Sequence, residues 1–164
     1  MCGIAGFVNW GNLQTLSRMV EVQAHRGPDD EGLWQDVSAN GTRVGLGHRR
    51  LSVQDVSSAG HQPMISECGR FAIVFNGEIY NYVELREELR ALGHTFRTNS
   101  DTEVVLAGYR EWGTEVAARL VGMFALAIYD QSEQTVYLAR DRFGEKPLLL
   151  APGSHRLVFA SELA

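Results

Sequence analysis

Hydrophobic and polar positions along this chain follow two periods, and the switches between them mark out the elements. Ile4 to Asn9 is a short apolar run bordered by glycine, as a buried strand would be, and Leu13, Leu16 and Val20 then recur at helical spacing up to about Ala24. The loop His25-Arg26-Gly27-Pro28-Asp29-Asp30 ends that helix. Glu31 to Ser38 and Thr42 to His48 read as paired strands around Asn40-Gly41, a dipeptide suited to the tight turns of twisted hairpins. Phe71-Ala72-Ile73-Val74-Phe75 is apolar at every position, which predicts a strand buried on both faces that stops at a turn made by Asn76-Gly77.

Two helices are predicted next. Asn81, with Glu84 three residues on, opens the first; Leu85, Leu89 and Leu92 form its apolar face, and Gly93 closes it. Ser100 with Glu103 opens the second, in which Val105, Tyr109 and Trp112 share a face before Gly113. A short helix around Glu115 to Leu120 precedes four strand candidates: Met123 to Tyr129, Thr135 to Ala139, Leu148 to Ala151 and Leu157 to Ala160. Two sheets with helices outside would bury all these faces, with Ile4 to Asn9 as an inner strand.

Composition narrows the function classes. A chain of 164 residues is expected to form one globular domain with a real core. The net charge of -5, with both signs interspersed, provides no basic stripe for nucleic acid. No apolar run is long enough to span a bilayer and the amino terminus lacks the features of a signal peptide, so membranes are not expected partners and the cytoplasm is the expected compartment. Cys2 and Cys68 are too few for a disulfide framework, in keeping with a reducing compartment. His25, His48, His61, His94 and His155 show no ligand-like pairing, and no metal site is expected.

The candidate chemistry begins at the second residue. Removal of Met1 would leave Cys2 carrying both a thiol, pKa near ~8.5, and an α-amine, pKa near ~8, which pairs a nucleophile with its own general base. Read alone, Cys2 is a chance second residue on a short apolar strand. Asn76-Gly77, read alone, is a turn; its alternative is an oxyanion hole built from the Asn76 side-chain amide and the Gly77 backbone N–H. Arg50, in Gly47-His48-Arg49-Arg50-Leu51-Ser52, is either a solvated arginine or a planar clamp for a substrate carboxylate. Asp101 stands at a helix start, which favours an acid whatever its role, and with Glu78 could hold a substrate ammonium. Together these residues describe a pocket for an amino acid.

The set has a family counterpart. Cys2-Gly3-Ile4-Ala5-Gly6, His25 to Asp30, Gly47 to Ser52, Phe75-Asn76-Gly77-Glu78-Ile79-Tyr80-Asn81 and Ser100-Asp101-Thr102-Glu103 resemble the glutaminase domain of class II glutamine amidotransferases. Gly122-Met123-Phe124-Ala125, Arg140-Asp141-Arg142-Phe143-Gly144 and Phe159-Ala160-Ser161-Glu162 extend the resemblance over residues 1–164, in the form found in glutamine-hydrolysing asparagine synthetases. The resemblance implies an α+β fold, the four-layer αββα sandwich of amino-terminal-nucleophile hydrolases. It implies that Cys2 attacks the glutamine side-chain amide while Asn76 and Gly77 hold the oxyanion. It further implies that Arg50 binds the α-carboxylate, Asp101 and Glu78 the α-ammonium, and that Leu51, Ser52, Val53 and Gln54 line the pocket. No cofactor or metal is implied for this step.

The partners implied are L-glutamine and an ATP-dependent synthetase domain, with ATP and Mg confined to that domain; a homodimer is a further arrangement left open. The Ser-Gly-Gly-x-Asp-Ser type loop of such a synthetase does not occur in these residues. The residues stop just after Phe159-Ala160-Ser161-Glu162, before such a domain would normally finish, and the expectation is a glutaminase domain truncated near its carboxyl end. Two alternatives stay open: a non-catalytic remnant serving as a binding or oligomerisation module, and an amidotransferase serving an acceptor other than aspartate.

Overall fold

The computed structural model describes residues 1–52 and 57–163; Val53 and Gln54, expected in the pocket, lie outside the described residues. In chain order the elements are β1 (Gly3–Val8), α1 (Leu13–Glu21), β2 (Asp30–Val37), β3 (Arg43–Arg50), β4 (Met64–Ile65), β5 (Phe71–Ile79), α2 (Tyr82–Ala91) and α3 (Asp101–Trp112). A 3-10 turn (Gly113–Glu115) then leads into α4 (Val116–Arg119), β6 (Gly122–Asp130), β7 (Thr135–Arg140), β8 (Leu149–Gly153) and β9 (Arg156–Ala160).

The strands form two antiparallel sheets, one ordered β2-β3-β1-β9-β8 and the other β4-β5-β6-β7. Alternation along each strand explains why they stack. In β5, Phe71, Ile73 and Phe75 pack towards Leu85 and Leu89 of α2 and Val104 and Val105 of α3. Ala72 and Val74, on the opposite face, meet Ile4, Val44, Leu46 and Phe159 of the first sheet. In β6, Phe124, Leu126 and Ile128 join the helix side, and Ala125, Ala127 and Tyr129 the sheet side. Leu16 and Val20 of α1 are buried against the outer face of the first sheet, where side chains added at Gly47 would strike both. The result is the expected four-layer αββα sandwich. Each fully buried Leu, Ile or Phe side chain contributes about 1.5–3 kcal/mol, so Leu89→Ala, at the centre of the helix-side core, should cost about 2–5 kcal/mol.

Three sequence readings need correction. The strand does not stop at Asn76-Gly77: β5 runs on to Ile79, with Asn76 paired to Ala125 and Gly77 to Phe124. The long partner strand β6 supplies ladder bonds for this whole stretch, which overrides the local turn preference. Asn81 precedes α2 but makes no side-chain cap. Its amide instead donates to the Arg119 carbonyl and accepts from the Val121 N–H, tying the start of α2 to the approach of β6. Leu92 is exposed while Leu85 and Leu89 are buried, because α2 ends at Ala91 and turns away at Gly93, whose φ is 95°.

The α3 start follows the predicted capping pattern only in part. Ser100 accepts from the Thr102 N–H, but Glu103 reaches past it to accept from the Arg97 and Thr98 backbone N–H groups. Behind this corner the buried Arg86 donates to the Ser100 carbonyl and lies over the Phe96 ring, so the first turn of α3 is anchored from the protein interior.

Candidate active site

The same alternation that builds the layer between the sheets carries its polar residues to one open end. On β1 the inward face passes from Ile4 to Cys2; on β3 it passes from Val44 and Leu46 to His48 and Arg50. On β5 it passes from Ala72 and Val74 to Asn76 and Glu78, and on β6 from Ala127 and Ala125 to Met123. Cys2, Arg50, Leu51, Asn76, Gly77, Glu78 and Asp101 thus line a single cleft of about 200 Å³. That is the scale of one small metabolite, not of a polymer. Ser52, also predicted, does not line the cleft; its backbone N–H donates to the Asp29 carboxylate at 2.7 Å and fixes the chain just beyond Leu51.

Cys2 is held from both sides. The Leu51 N–H donates to its Sγ at 3.4 Å, and the Arg26 guanidinium donates to its carbonyl at 3.1 Å while also pairing with Glu162. Ser161 and Ile4 exchange hydrogen bonds of 2.9 Å, so the segment after β9 fastens the start of β1. Burial pushes the Cys2 thiol up, opposed by the Leu51 backbone contact and by the positive charges of the amino terminus, Arg50 and Lys146. A thiol so placed is protonated at rest and needs a base beside it to attack.

Asn76 is 2% exposed, and its side-chain nitrogen has no hydrogen-bond partner among the described residues. A buried amide N–H without a partner is destabilising, so its retention facing the cleft marks a donor waiting for an acceptor. Gly77 is required by space, since a Cβ there would sit 2.4 Å from the Met123 carbonyl oxygen and 2.8 Å from the Phe124 Cα. Arg50 donates to the Ser57 carbonyl at 2.8 Å, which holds its guanidinium along the cleft wall. Asp101 accepts from the Ile79 N–H at 3.0 Å. Burial raises its pKa, and the nearby negative charge of Glu78 adds to the rise. Two carboxylates placed together at the end of a cleft form a site for a cation.

Sequence reasoning missed Gln62, Ser100, Thr102, Met123 and Lys146, all of which line the cleft. Met123 was accessible in principle, because it shares the strand face of Ala125 and Ala127. Gln62 and Lys146 come from loops with no periodicity to read. The Lys146 loop is ordered by the Asp141 carboxylate, which accepts from the backbone N–H groups of Phe124, Phe143, Glu145 and Lys146. A second, larger hollow of about 630 Å³ between α3 and the α2 end contains none of the predicted residues. Among the described residues no group of three or more His, Cys, Asp or Glu side chains is placed to hold a metal, and no helix is long and apolar enough to cross a membrane.

Comparison with known proteins bears on this arrangement. The chain is 46% identical over 169 residues to asparagine synthetase [glutamine-hydrolyzing] 1 of Bacillus subtilis (strain 168), an alignment covering 99% of this chain and 26% of that protein. It is 42% identical over 177 residues to a putative asparagine synthetase [glutamine-hydrolyzing] of Mycobacterium tuberculosis (strain ATCC 25618 / H37Rv), covering 99% of this chain and 27% of the relative. It therefore spans about a quarter of the length of these relatives. Among solved structures, the glutamine phosphoribosylpyrophosphate amidotransferase of B. subtilis superposes with a TM-score of 0.77 at 21% identity, covering 98% of this chain and 42% of that one, which shows a shared fold. A match to the family described as "Glutamine amidotransferase domain" extends over residues 1–164, from the Cys2 strand through the last strand of the same sheet, and this chain belongs to that family.

Proposed function

We propose that this domain hydrolyses the side-chain amide of L-glutamine at Cys2 and passes the ammonia to an ATP-dependent synthetase domain that forms asparagine. The observation that carries the reading is the buried Asn76 side-chain nitrogen, without a partner among the described residues, in the same cleft as the Cys2 thiol. With Met1 removed, the α-amine of Cys2 takes the thiol proton and the thiolate attacks the amide carbon. Asn76 and the Gly77 N–H stabilise the negative oxygen of the tetrahedral intermediate. The carbon–nitrogen bond then breaks as the α-ammonium returns its proton to the departing ammonia. Water, deprotonated by the same amine, attacks the thioester and releases glutamate with the thiol restored.

Arg50 binds the glutamine α-carboxylate, while Asp101 and Glu78 bind its α-ammonium; this places the reacting amide at the Cys2 end of the cleft. Leu51 forms part of the wall, and the hydrolysis itself uses no metal or organic cofactor. ATP and Mg serve the synthetase domain, and the pair works in the cytoplasm. The identity of the relatives supports aspartate as the acceptor.

One feature favours the alternative of a non-catalytic binding module when Met1 stays in place. Met1 lines the cleft, and its peptide bond turns the Cys2 nitrogen into an amide that accepts no proton. Intact mass, together with glutamate release by the purified chain and by Cys2→Ala, separates the two. Glutamate from the Met1-free chain, abolished in Cys2→Ala, is the expected result; a folded, Met1-free chain that releases none counts against the enzyme reading.

A further inference from the structure

His48 is fully buried on the inward face of β3, directly opposite Ile4 in the β1–β3 register and therefore beside the strand that begins at Cys2. Its Nε2 lies 3.1 Å from the Phe75 carbonyl oxygen, across the gap between the sheets. A carbonyl oxygen only accepts, so the imidazole must carry its proton on Nε2. Burial holds the ring neutral, pushing its pKa down to about 3. The Phe75 carbonyl belongs to the peptide unit whose nitrogen is that of Asn76. The Phe75 N–H, in turn, donates at 2.6 Å to Gln62, whose amide donates to Thr102 at the start of α3. The edge strand β4 does not reach this far, since its register ends with Met64 opposite Ile73. Both backbone groups of Phe75 are thus held by buried side chains where a neighbouring strand would ordinarily hold them.

We propose that His48 is a positioning residue: a strut from the nucleophile sheet to the oxyanion strand which, with Gln62, fixes the Phe75 peptide and so aims the Asn76 amide at the carbonyl oxygen of the substrate amide attacked by Cys2. The inference rests on the glutaminase reading above. A purely packing role fits the site less well, because His48 Nδ1 is buried with no partner among the described residues. An apolar side chain would fill the space without that unsatisfied atom. The observed choice keeps one donor, in one tautomer, facing the carbonyl next to Asn76.

The test compares wild type, His48→Gln, His48→Asn and His48→Leu. Glutamine reproduces the reach of an Nε2–H donor, asparagine is too short, and leucine has no donor. Glutamine turnover should stay within about threefold of wild type in His48→Gln and fall about 10–100-fold in kcat in the other two, with KM changed less than about twofold. Alkylation of Cys2 by iodoacetamide, which forms no oxyanion and is followed on the Cys2 peptide by mass, should change less than about twofold in all of them. If His48→Leu does not fold, the Gln and Asn pair decides. Equal losses in Gln and Asn, a rise in KM alone, alkylation falling in step with turnover, or no loss in any variant would each overturn the strut. Failure of wild-type, Met1-free protein to release glutamate overturns the underlying glutaminase reading, and with it the catalytic role of the strut. In that case ¹⁵N NMR of the imidazole still judges the contact: an Nε2-protonated ring that does not titrate between about pH 5 and 8 upholds it, and an Nδ1-protonated or titrating ring refutes it.

Discussion

Leu51 brackets the Cys2 thiol, its backbone N–H 3.4 Å and its carbonyl oxygen 3.7 Å from the same sulfur. The sulfur can therefore be thiol or thiolate without moving, donating to one group or accepting from the other. Burial nevertheless pushes the Cys2 pKa up, whereas exposed Cys68 is pushed down, first by the Ser66 hydroxyl. In a chain that retains Met1, iodoacetamide labelling followed peptide by peptide against pH should show Cys68 reacting at the lower midpoint. Loss of Met1 brings a positive amine next to the thiol and should move the Cys2 midpoint down. A Cys2 midpoint at or below that of Cys68 in the Met1-bearing chain contradicts this account.

In the proposed mechanism the Asn76 amide gains its acceptor only as negative charge develops on the substrate oxygen. Asn76→Ala should therefore lower kcat by about 10²–10³-fold with KM changed less than about threefold. Folding should suffer little, because the mutation also removes an unsatisfied buried donor. Steady-state glutamate release checks this; a raised KM at unchanged kcat would make Asn76 an ordinary binding residue.

Under the proposed function, Asp101 joins a substrate contact to a folding penalty. Burial raises its folded pKa, so between the ordinary carboxyl value and that raised value the native state holds the extra proton. Its contribution to stability is fully present below the ordinary value and is lost as pH rises through the window. Asp101→Asn keeps an acceptor for the Ile79 N–H and abolishes the penalty, so at neutral pH it should melt no lower than wild type. The variant should raise KM for glutamine at least about tenfold, through loss of the ammonium contact. Thermal melting at several pH values, run beside kinetics, tests both halves; destabilisation at neutral pH would contradict the first.

Gly77→Ala is expected to fail by crowding. The added methyl meets the Met123 carbonyl and the Phe124 backbone of β6, neither of which can rotate away. The β5–β6 ladder must separate at the cleft, costing about 1–3 kcal/mol and displacing the Gly77 N–H. Urea unfolding should show the lower midpoint and kinetics the lost turnover; a variant as stable as wild type would show that the strands have room to spread.

Much of this architecture was open to reading because local periods carry it. The unbroken apolar run from Phe71 to Phe75 announces β5 as a strand buried on both faces, and Asn40-Gly41 announces the β2–β3 hairpin. Cys2, Arg50, Asn76, Glu78 and Asp101, which share the cleft, were legible as candidate site residues through their residue types and the motifs around them. Asn76-Gly77, however, carries the local signature of a turn, and only its pairing with Ala125 and Phe124 keeps it extended. Asn81 likewise has the local signature of a cap, and only the approach of Arg119 and Val121 draws its amide elsewhere.

By itself the amino-acid order determined which faces are apolar, where each face turns polar, and which side chains those polar ends present. Tertiary structure decided that the polar ends of β1, β3 and β5 meet, beside Met123 of β6, at one end of the sandwich. It also decided that Gln62 and Lys146, from loops without periodicity, reach the same cleft, and that His48 spans the sheets there. The physical reason is that alternation sets a side chain's direction within its own strand, whereas register and stacking, fixed by contacts far apart in the chain, set what it faces.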